Sequence, residues 1–230
     1  EAMKRDPGRA VEFFSGRVGN VGTHPELRSH LRALAESDPK LLLAYLPYAT
    51  REEFPVLVES LLTHEPGLAV YTPEEKLRFF RVWHDKGDSA KLVRMLEENL
   101  NWRQDGWTVL AGHRAKEGNF RAAYEVAISN VTAPPGPGAR RNGNLADLDR
   151  AFRVNPTDFA RGLDLYETQR QLGRYDEALA TLDQLAQLPQ APAKILYERG
   201  VTLAGKGDYA RAWDAVSAYA KRVEQERKDL

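Results

Sequence analysis

The sequence contains no cysteine, and this absence excludes several kinds of chemistry. Disulfide bonds, thiolate metal sites and cysteine nucleophiles all depend on the missing residue. Long apolar runs are also lacking. The longest are runs such as LLLAYL at 41–46, whereas a membrane-spanning helix needs about 20 apolar residues. We therefore expect no direct membrane insertion of this segment.

An excess of charge of one sign is lacking too, because 33 basic residues balance 33 acidic ones. A protein that binds the phosphates of nucleic acid usually carries a basic excess, so we expect no nucleic-acid partner. No basic-then-apolar secretory leader is visible at the start of the sequence. The sequence begins at Glu1, and its first Met is residue 3. We expect the chain to be a soluble segment of a longer polypeptide. Its compartment, cytoplasmic or periplasmic, and any membrane tether outside the chain stay open.

No segment shows the two-residue alternation of a β-strand, whereas signals for helix starts recur along the chain. Thr50 with Glu53 and Thr72 with Glu75 form capping boxes, and Asp38 and Asn155 each precede a proline that suits a first helical turn. The pattern predicts an all-α protein. The predicted helices cover 6–16, 24–36, 39–48, 51–63, 73–86, 88–99, 103–117, 119–131, 145–153, 157–172, 174–187, 192–205 and 208–228. The Pro- and Gly-rich stretch TAPPGPGARRNGN at 132–144 predicts a loop.

Two stretches near the C-terminus repeat each other. GRYDEALATL begins at Gly173 and GDYARAWDAV begins at Gly207, 34 positions later, and both read Gly-x-Tyr-x-x-Ala. A third copy, GNFRAA, begins at Gly118. Glycine between two helices can adopt positive φ, and alanine lets helices cross closely. We expect the aromatic residues Tyr175 and Tyr209 to pack in the angle between helices and to have similar surroundings.

These stretches resemble the tetratricopeptide repeat (TPR), most clearly over 157–220 and also over 103–131. The resemblance implies an α-α superhelix of stacked helical hairpins, each unable to bury its apolar face alone. It also implies a non-catalytic scaffold that binds another polypeptide, or another part of its own parent chain, through a concave groove. Two residues depart from the family pattern. Gly162 stands where a large aromatic is usual, and Tyr166 stands where a small residue is common.

The resemblance divides the chain into four parts. Residues 1–72 form an N-terminal helical region that is degenerate or unrelated to the repeat, and 73–131 form TPR-like helical pairs. Residues 132–156 form an insert with a short helix. Residues 157–230 form two TPR-like repeats with a C-terminal helix.

In such an array, the first helix of each hairpin lines the groove. On the helix at 157–172, we expect Phe159, Leu165, Tyr166 and Leu172 to be buried. The remaining positions give nine candidates for partner binding. They are Arg78, Arg81 and His84 at 73–86, Glu167, Arg170 and Gln171 at 157–172, and Lys194, Tyr197 and Val201 at 192–205.

The groove lacks the Lys, Arg and Asn set that binds chaperone tails in some members of the family. It offers Thr108, Leu163 and Glu167 instead. We therefore expect no chaperone-tail binding.

No catalytic constellation is visible in the sequence. None of the five histidines has metal-ligand spacing. We interpret His84 as an ordinary helix-end residue, because adjacent residues of a helix, such as His84 and Asp85, point in different directions. The DLD stretch at 147–149 lies in a predicted helix, and the Gly-rich stretch at 16–22 lacks the strand and lysine of a phosphate loop. We expect no enzyme activity, no cofactor and no metal.

One alternative of a different class stays open. LADLDRAFRVNPTDFARGLDLYETQRQLGRYDEALATL at 145–182 is similar to TPR arrays appended to bacterial membrane proteins such as O-antigen ligase- or polymerase-like enzymes. The chain would then be the soluble regulatory or interaction domain of such a protein. Hydrophobic spans encoded upstream of Glu1 would distinguish the two readings.

Overall fold

The computed structural model describes residues 25–63, 67–86, 89–134, 144–189 and 191–229. Over these ranges it contains twelve α-helices and no strand, so the predicted all-α class with stacked helical hairpins is confirmed. The helices are α1 (Pro25–Glu36), α2 (Pro39–Tyr45), α3 (Glu53–Thr63), α4 (Pro73–Lys86), α5 (Ser89–Glu98), α6 (Leu100–Lys116), α7 (Phe120–Asn130), α8 (Leu145–Val154), α9 (Phe159–Gln171), α10 (Tyr175–Ala186), α11 (Lys194–Lys206) and α12 (Tyr209–Lys228). Short 3-10 helices cover Leu46–Tyr48 and Gly67–Val70. The helix predicted at 6–16 and most of the predicted loop lie outside the described residues.

The predicted capping boxes are present. The Thr72 backbone N–H donates to Glu75 Oε2 at 2.9 Å, and the Glu75 N–H donates to Thr72 Oγ1 at 3.2 Å. Thr50 and Glu53 make the same reciprocal pair at 3.0 and 3.2 Å. The Asp38 carboxylate accepts from two backbone N–H groups at the start of α2. Each pair satisfies donors that a helix start leaves free, which is why the sequence signals these starts correctly.

One predicted helix start is wrong. Asn155 does not begin the helix at 157, because it ends α8, with its backbone N–H bonded to the Ala151 carbonyl. Helix α9 instead begins at Phe159, where the Asp158 side chain accepts from the Arg161 N–H at 3.1 Å. Both Asn and Asp cap helices well, so the sequence alone does not choose between them.

The chain forms two compact units, Glu1–Val109 and Leu110–Leu230. In the first unit, α1 packs against α2, and α4 packs against α5. Its core includes the rings of Phe79, Phe80 and Trp83, all at most 2% exposed. The Phe79 ring is tilted against the other two, with ring centroids 5.6 to 5.7 Å apart. A Cβ at Gly106 of α6 would lie 2.6 Å from Leu96 and 3.0 Å from Phe80, so glycine lets α6 approach this core. The four-part division of the sequence stays a prediction.

In the second unit, neighbouring helices pack in the order α8, α9, α10, α11, α12 and then α7. Helix α7 therefore follows α12 in space although it precedes α8 in the chain. The Tyr124 and Tyr209 rings lie 6.0 Å apart, the Arg121 guanidinium lies 5.6 Å from the Tyr209 ring centroid, and the Tyr219 hydroxyl donates to the Thr132 carbonyl at 2.8 Å. The repeats thus stack, but not in the order of the sequence.

This order explains why one expectation is wrong. Tyr209 packs with α7, whereas Tyr175 lies against Gly205 of α11, where a Cβ would be 3.1 Å from the Tyr175 ring. The two tyrosines match in sequence, but their surroundings differ, because different helices follow α10 and α12 in space.

The three repeat glycines end their helices in the same way. Gly118, Gly173 and Gly207 have φ of 77°, 72° and 88°. After each glycine, the next residue's N–H bonds to the carbonyl five positions back, at 2.9 Å in all three turns. This is the Schellman arrangement, which satisfies the last carbonyls of a helix and requires the left-handed conformation that glycine adopts without strain.

The departure from the family pattern at Gly162 is compensated by a neighbouring helix. A Cβ at Gly162 would lie 2.5 Å from Leu185 Cδ2 and 2.8 Å from Phe152 Cε2. Phe152 comes from α8, is 3% exposed and belongs to the core cluster of α9 and α10. The aromatic volume missing from position 162 is therefore supplied by the short helix of the predicted insert.

Candidate functional site

Helices α9 and α11 carry six of the nine candidate residues, and a hydrogen-bonded cluster joins them. The Tyr166 hydroxyl lies 2.9 Å from Glu198 Oε2, to which it donates, and 3.1 Å from Thr202 Oγ1. Tyr166 is 1% exposed and Thr202 is fully buried. Burial raises the pKa of the Tyr166 phenol, and the negative charge of Glu198 raises that pKa further. The phenol thus stays protonated and fixes the register of the two helices.

Arg170 lies one helical turn beyond Tyr166. Its guanidinium carbon is 5.9 Å from the Tyr166 ring centroid, within the range of a cation–π contact. Its Nε is buried without a hydrogen-bond partner, although the side chain as a whole is only half-buried. Nearly all buried polar atoms in proteins have a partner. The Nε–H of Arg170 is therefore an unsatisfied donor at the edge of a satisfied cluster.

The other candidates of the second unit differ in exposure. Glu167, Lys194 and Val201 are half-buried, and Gln171 is exposed. All four belong to α9 or α11, the two helices that carry the Tyr166 cluster. None of the four lies fully in the core.

Tyr197 packs against a neighbouring helix, which we did not expect of a residue that lines an open groove. Its ring meets the Tyr219 ring of α12 edge-on, with centroids 5.4 Å apart. Burial raises the pKa of Tyr197 and of Tyr219, and in each case a nearby carboxylate adds to the rise. Tyr197 also raises the pKa of Tyr124 on α7, after the larger effect of burial. Tyr197 thus belongs to a tyrosine cluster between α11, α12 and α7.

The sequence did not indicate several residues of these clusters. Glu198 and Thr202 were not singled out, although they lie one and five positions after the candidate Tyr197. Tyr219 and Tyr124 were also missed, because only the stacking of α7 on α12 brings them together. Spacing along one helix could have indicated the first pair, but no local signal indicates the second.

The remaining candidates, Arg78, Arg81 and His84, lie on α4 in the first unit. Arg78 and Arg81 are exposed, and His84 is half-buried in the last turn. The expectation that His84 and Asp85 point apart is wrong, because His84 Nδ1 lies 3.5 Å from Asp85 Oδ1. Asp85 reaches this position as a highly exposed side chain at the helix end, where little packing restrains it.

One expected core residue is exposed. Leu165 and Tyr166 are buried as predicted and Phe159 is half-buried, but Leu172 is 60% exposed. Leu172 is the C-cap residue that follows α9, just before the left-handed Gly173. The spacing of buried residues along α9 therefore does not predict the burial of Leu172, which lies beyond the helix.

Within the described ranges, no group of three or more His, Asp or Glu side chains could hold a metal ion. None of the helices that the structure describes is both long and apolar enough to span a bilayer.

Comparison with known proteins gives no family and only distant structural matches. No protein-family model matches the chain, and no curated protein matches it. Among solved structures, MamA AMB-1 is 16% identical, with 80% of this chain and 95% of that chain covered and a TM-score of 0.32. MamA MSR-1 is 15% identical, with 80% and 93% covered and a TM-score of 0.31. Scores this low carry no argument about function, and the O-antigen ligase likeness receives no support.

Proposed function

We propose that the chain is a non-catalytic helical-repeat scaffold. It binds another polypeptide, or another part of its own parent chain, on the face formed by α9 and α11. Glu167, Arg170, Gln171, Lys194, Tyr197 and Val201 are its partner-binding residues. Arg78, Arg81 and His84 on α4 form a separate surface of the first unit, proposed for the same role.

The buried Nε–H of Arg170, which has no hydrogen-bond partner, is the observation that supports this proposal most. A buried donor without a partner costs roughly 1–3 kcal/mol, and a partner segment that offers an acceptor there would recover that free energy. The cluster of Tyr166, Glu198 and Thr202 holds α9 and α11 in register, so the face is rigid before the partner arrives. A preorganised surface loses less entropy on binding.

Site-specific photocrosslinking in cells tests the proposal. A photoreactive residue at Val201 should give discrete crosslinked products, and Arg170→Glu in the same chain should abolish them. The matched control carries the photoreactive residue at Gln184, an exposed position of α10. Equal products from position 184, or products from position 201 that survive Arg170→Glu, would contradict the assignment of this face.

A further inference from the structure

A short extended segment of the chain itself is hydrogen-bonded to one member of the tyrosine cluster, Tyr219. Val131 ends α7 with φ −76° and ψ 142°, which are the angles of polyproline II. Thr132, Ala133 and Pro134 follow without helix or turn. Ala133 precedes a proline, which favours the same extended conformation.

Tyr219 holds this segment by its backbone. The Tyr219 hydroxyl donates to the Thr132 carbonyl at 2.8 Å, across 87 positions of sequence. The Tyr219 ring is 5.4 Å from the Tyr197 ring, in an edge-on arrangement. Tyr219 is 5% exposed and Tyr197 is half-buried. Val131 and Pro134 at the two ends of the segment are also half-buried, whereas Thr132 and Ala133 are exposed.

The contact resembles the way in which aromatic grooves bind polyproline II segments. Grooves lined by aromatic side chains bind polyproline II segments, because such segments are already extended and lose little entropy on docking. Their carbonyls have no internal partners, so a hydroxyl donor on the groove can bind one of them. The contact of Tyr219 with Thr132 has this form, and the bound residues Thr132–Pro134 carry no charge.

We propose that the Tyr197–Tyr219 pair is a docking site for an uncharged, proline-containing extended segment. The chain's own Val131–Pro134 occupies this site in cis, and a partner bearing a similar segment competes for it. The proposal rests on the proposed function, because Tyr197 is one of its partner-binding residues, and it adds the class of ligand and an autoinhibitory contact.

The affinity for a partner should depend on the tethered segment. A ligand attached by a short connection acts at an effective concentration in the millimolar range. A free peptide must therefore exceed that concentration to displace it from the native chain. If substitutions in the tethered segment weaken its contact with Tyr219, the same peptide should bind the chain far more tightly.

The experiment titrates the peptide VTAPPGP, which is the sequence of residues 131–137, into the full chain and follows the Tyr197 and Tyr219 amide resonances. We expect at least tenfold tighter binding to a variant with Thr132→Gly, Ala133→Ser and Pro134→Gly than to the native chain. A control peptide with alanine in place of each proline should bind several-fold more weakly. Adding Tyr219→Phe to the variant should weaken binding about two- to tenfold, as expected for the loss of one hydrogen bond. Equal affinity for the native chain and the variant, or no effect of Tyr219→Phe, would overturn the proposal.

A second measurement needs only one substitution and covers the case in which the triple variant does not fold. Tyr219→Phe in the native chain should lower the heteronuclear NOE of Thr132 and Ala133, and it should leave that of Glu125 within α7 unchanged. An unchanged NOE at Thr132 and Ala133 would show that Tyr219 does not hold the segment. Arg170→Glu separates this proposal from the proposed function, because it should abolish crosslinking at Val201 and leave peptide binding at Tyr219 intact.

Discussion

The hairpins α9–α10 and α11–α12 share a turn but differ in their interiors. Both turn through a left-handed glycine, Gly173 or Gly207, with the same pair of hydrogen bonds. In α11, Gly200 lets Val216 of α12 come within 2.5 Å of where a Cβ would be. The matching position of α9 holds the buried Tyr166. The backbone conformation fixes the turn, whereas the interior can vary as long as its volume is filled.

The difference also shows how a neighbour compensates for a departure. α9 has its glycine one turn earlier, at Gly162, and Phe152 of α8 fills the space beside it. α8 thus completes the core of the α9–α10 hairpin. It is the terminal helix on the α9 side of the second unit, and its Arg150 and Arg153 are exposed. Repeat arrays need such a terminal element because an unstacked hairpin leaves an apolar face in water.

Removal of the Phe152 ring should have the largest effect on stability, by loosening the packing of the α9–α10 hairpin. We expect Phe152→Ala to lower the free energy of unfolding by about 3–5 kcal/mol, because it leaves a cavity between α8, α9 and α10. Chemical denaturation followed by circular dichroism measures this loss. Val154→Ala is the control on the same helix, since Val154 is 80% exposed, and it should change stability by less than about 0.5 kcal/mol. Equal effects of the two substitutions would refute the compensation.

Loss of the Tyr166 hydroxyl should have the next largest effect. Tyr166→Phe keeps the ring and removes the group that bonds Glu198 and Thr202. We expect it to cost about 1–3 kcal/mol, because polar atoms of both partners lose a bond in a largely buried place. Tyr175→Phe is the control, because Tyr175 is a half-buried tyrosine at the start of α10, and it should be nearly neutral. A similar loss for Tyr175→Phe would argue against a special role for the cluster.

The same hydroxyl predicts a dependence on alkaline pH. Burial first, and Glu198 second, raise the pKa of Tyr166 in the folded chain above the value near 10 of an unfolded tyrosine. The stability that this shift contributes is fully present below about pH 10. It is lost as pH rises from there towards the folded pKa, because only the unfolded chain then releases its proton. Stability curves between pH 8 and 12 should fall less steeply for Tyr166→Phe than for the native chain, and parallel curves would contradict this assignment.

The smallest effects should come from two glycine substitutions, one in a turn and one inside a helix. We expect Gly207→Ala to cost about 1–2 kcal/mol, because its φ of 88° strains any residue with a Cβ. Gly112→Ala should have the opposite sign. It lies inside α6 with no atom within 4 Å of a Cβ, and alanine favours helix there by up to about 1 kcal/mol. Thermal denaturation of both variants checks the signs, and destabilisation by both would show that the turn conformation is not the cause.

The sequence predicted the parts of the fold that local chemistry determines. The capping pairs Thr50–Glu53 and Thr72–Glu75 each lie within one turn of helix, so their signal is complete in four residues. The glycine turns need only a positive φ at one position. For the same reason the prediction at Asn155 was wrong, because two good capping residues lie three positions apart there.

The order of stacking could not be predicted in this way. The helical period of α7 shows which of its residues are buried, but not which helix buries them. The free energy needed to close a loop grows only slowly with its length, so the connection between α7 and α8 does not decide the partner. The repeat pattern was enough to predict the candidate residues on α9 and α11. It could not predict that Tyr124 of α7 lies near the Tyr197–Tyr219 pair, because this depends on the packing of α7 against α12.

The position of α7 on α12 is therefore the claim to test most directly. The absence of native cysteine allows clean spin labelling at two introduced cysteines. One pair joins Glu125 of α7 with Ala218 of α12, and the other joins Glu125 with Ala160 of α9; all three positions are exposed. Distances measured by double electron–electron resonance should be shorter for the 125–218 pair than for the 125–160 pair. The reverse order would mean that the repeats stack in the order of the sequence and would contradict this account.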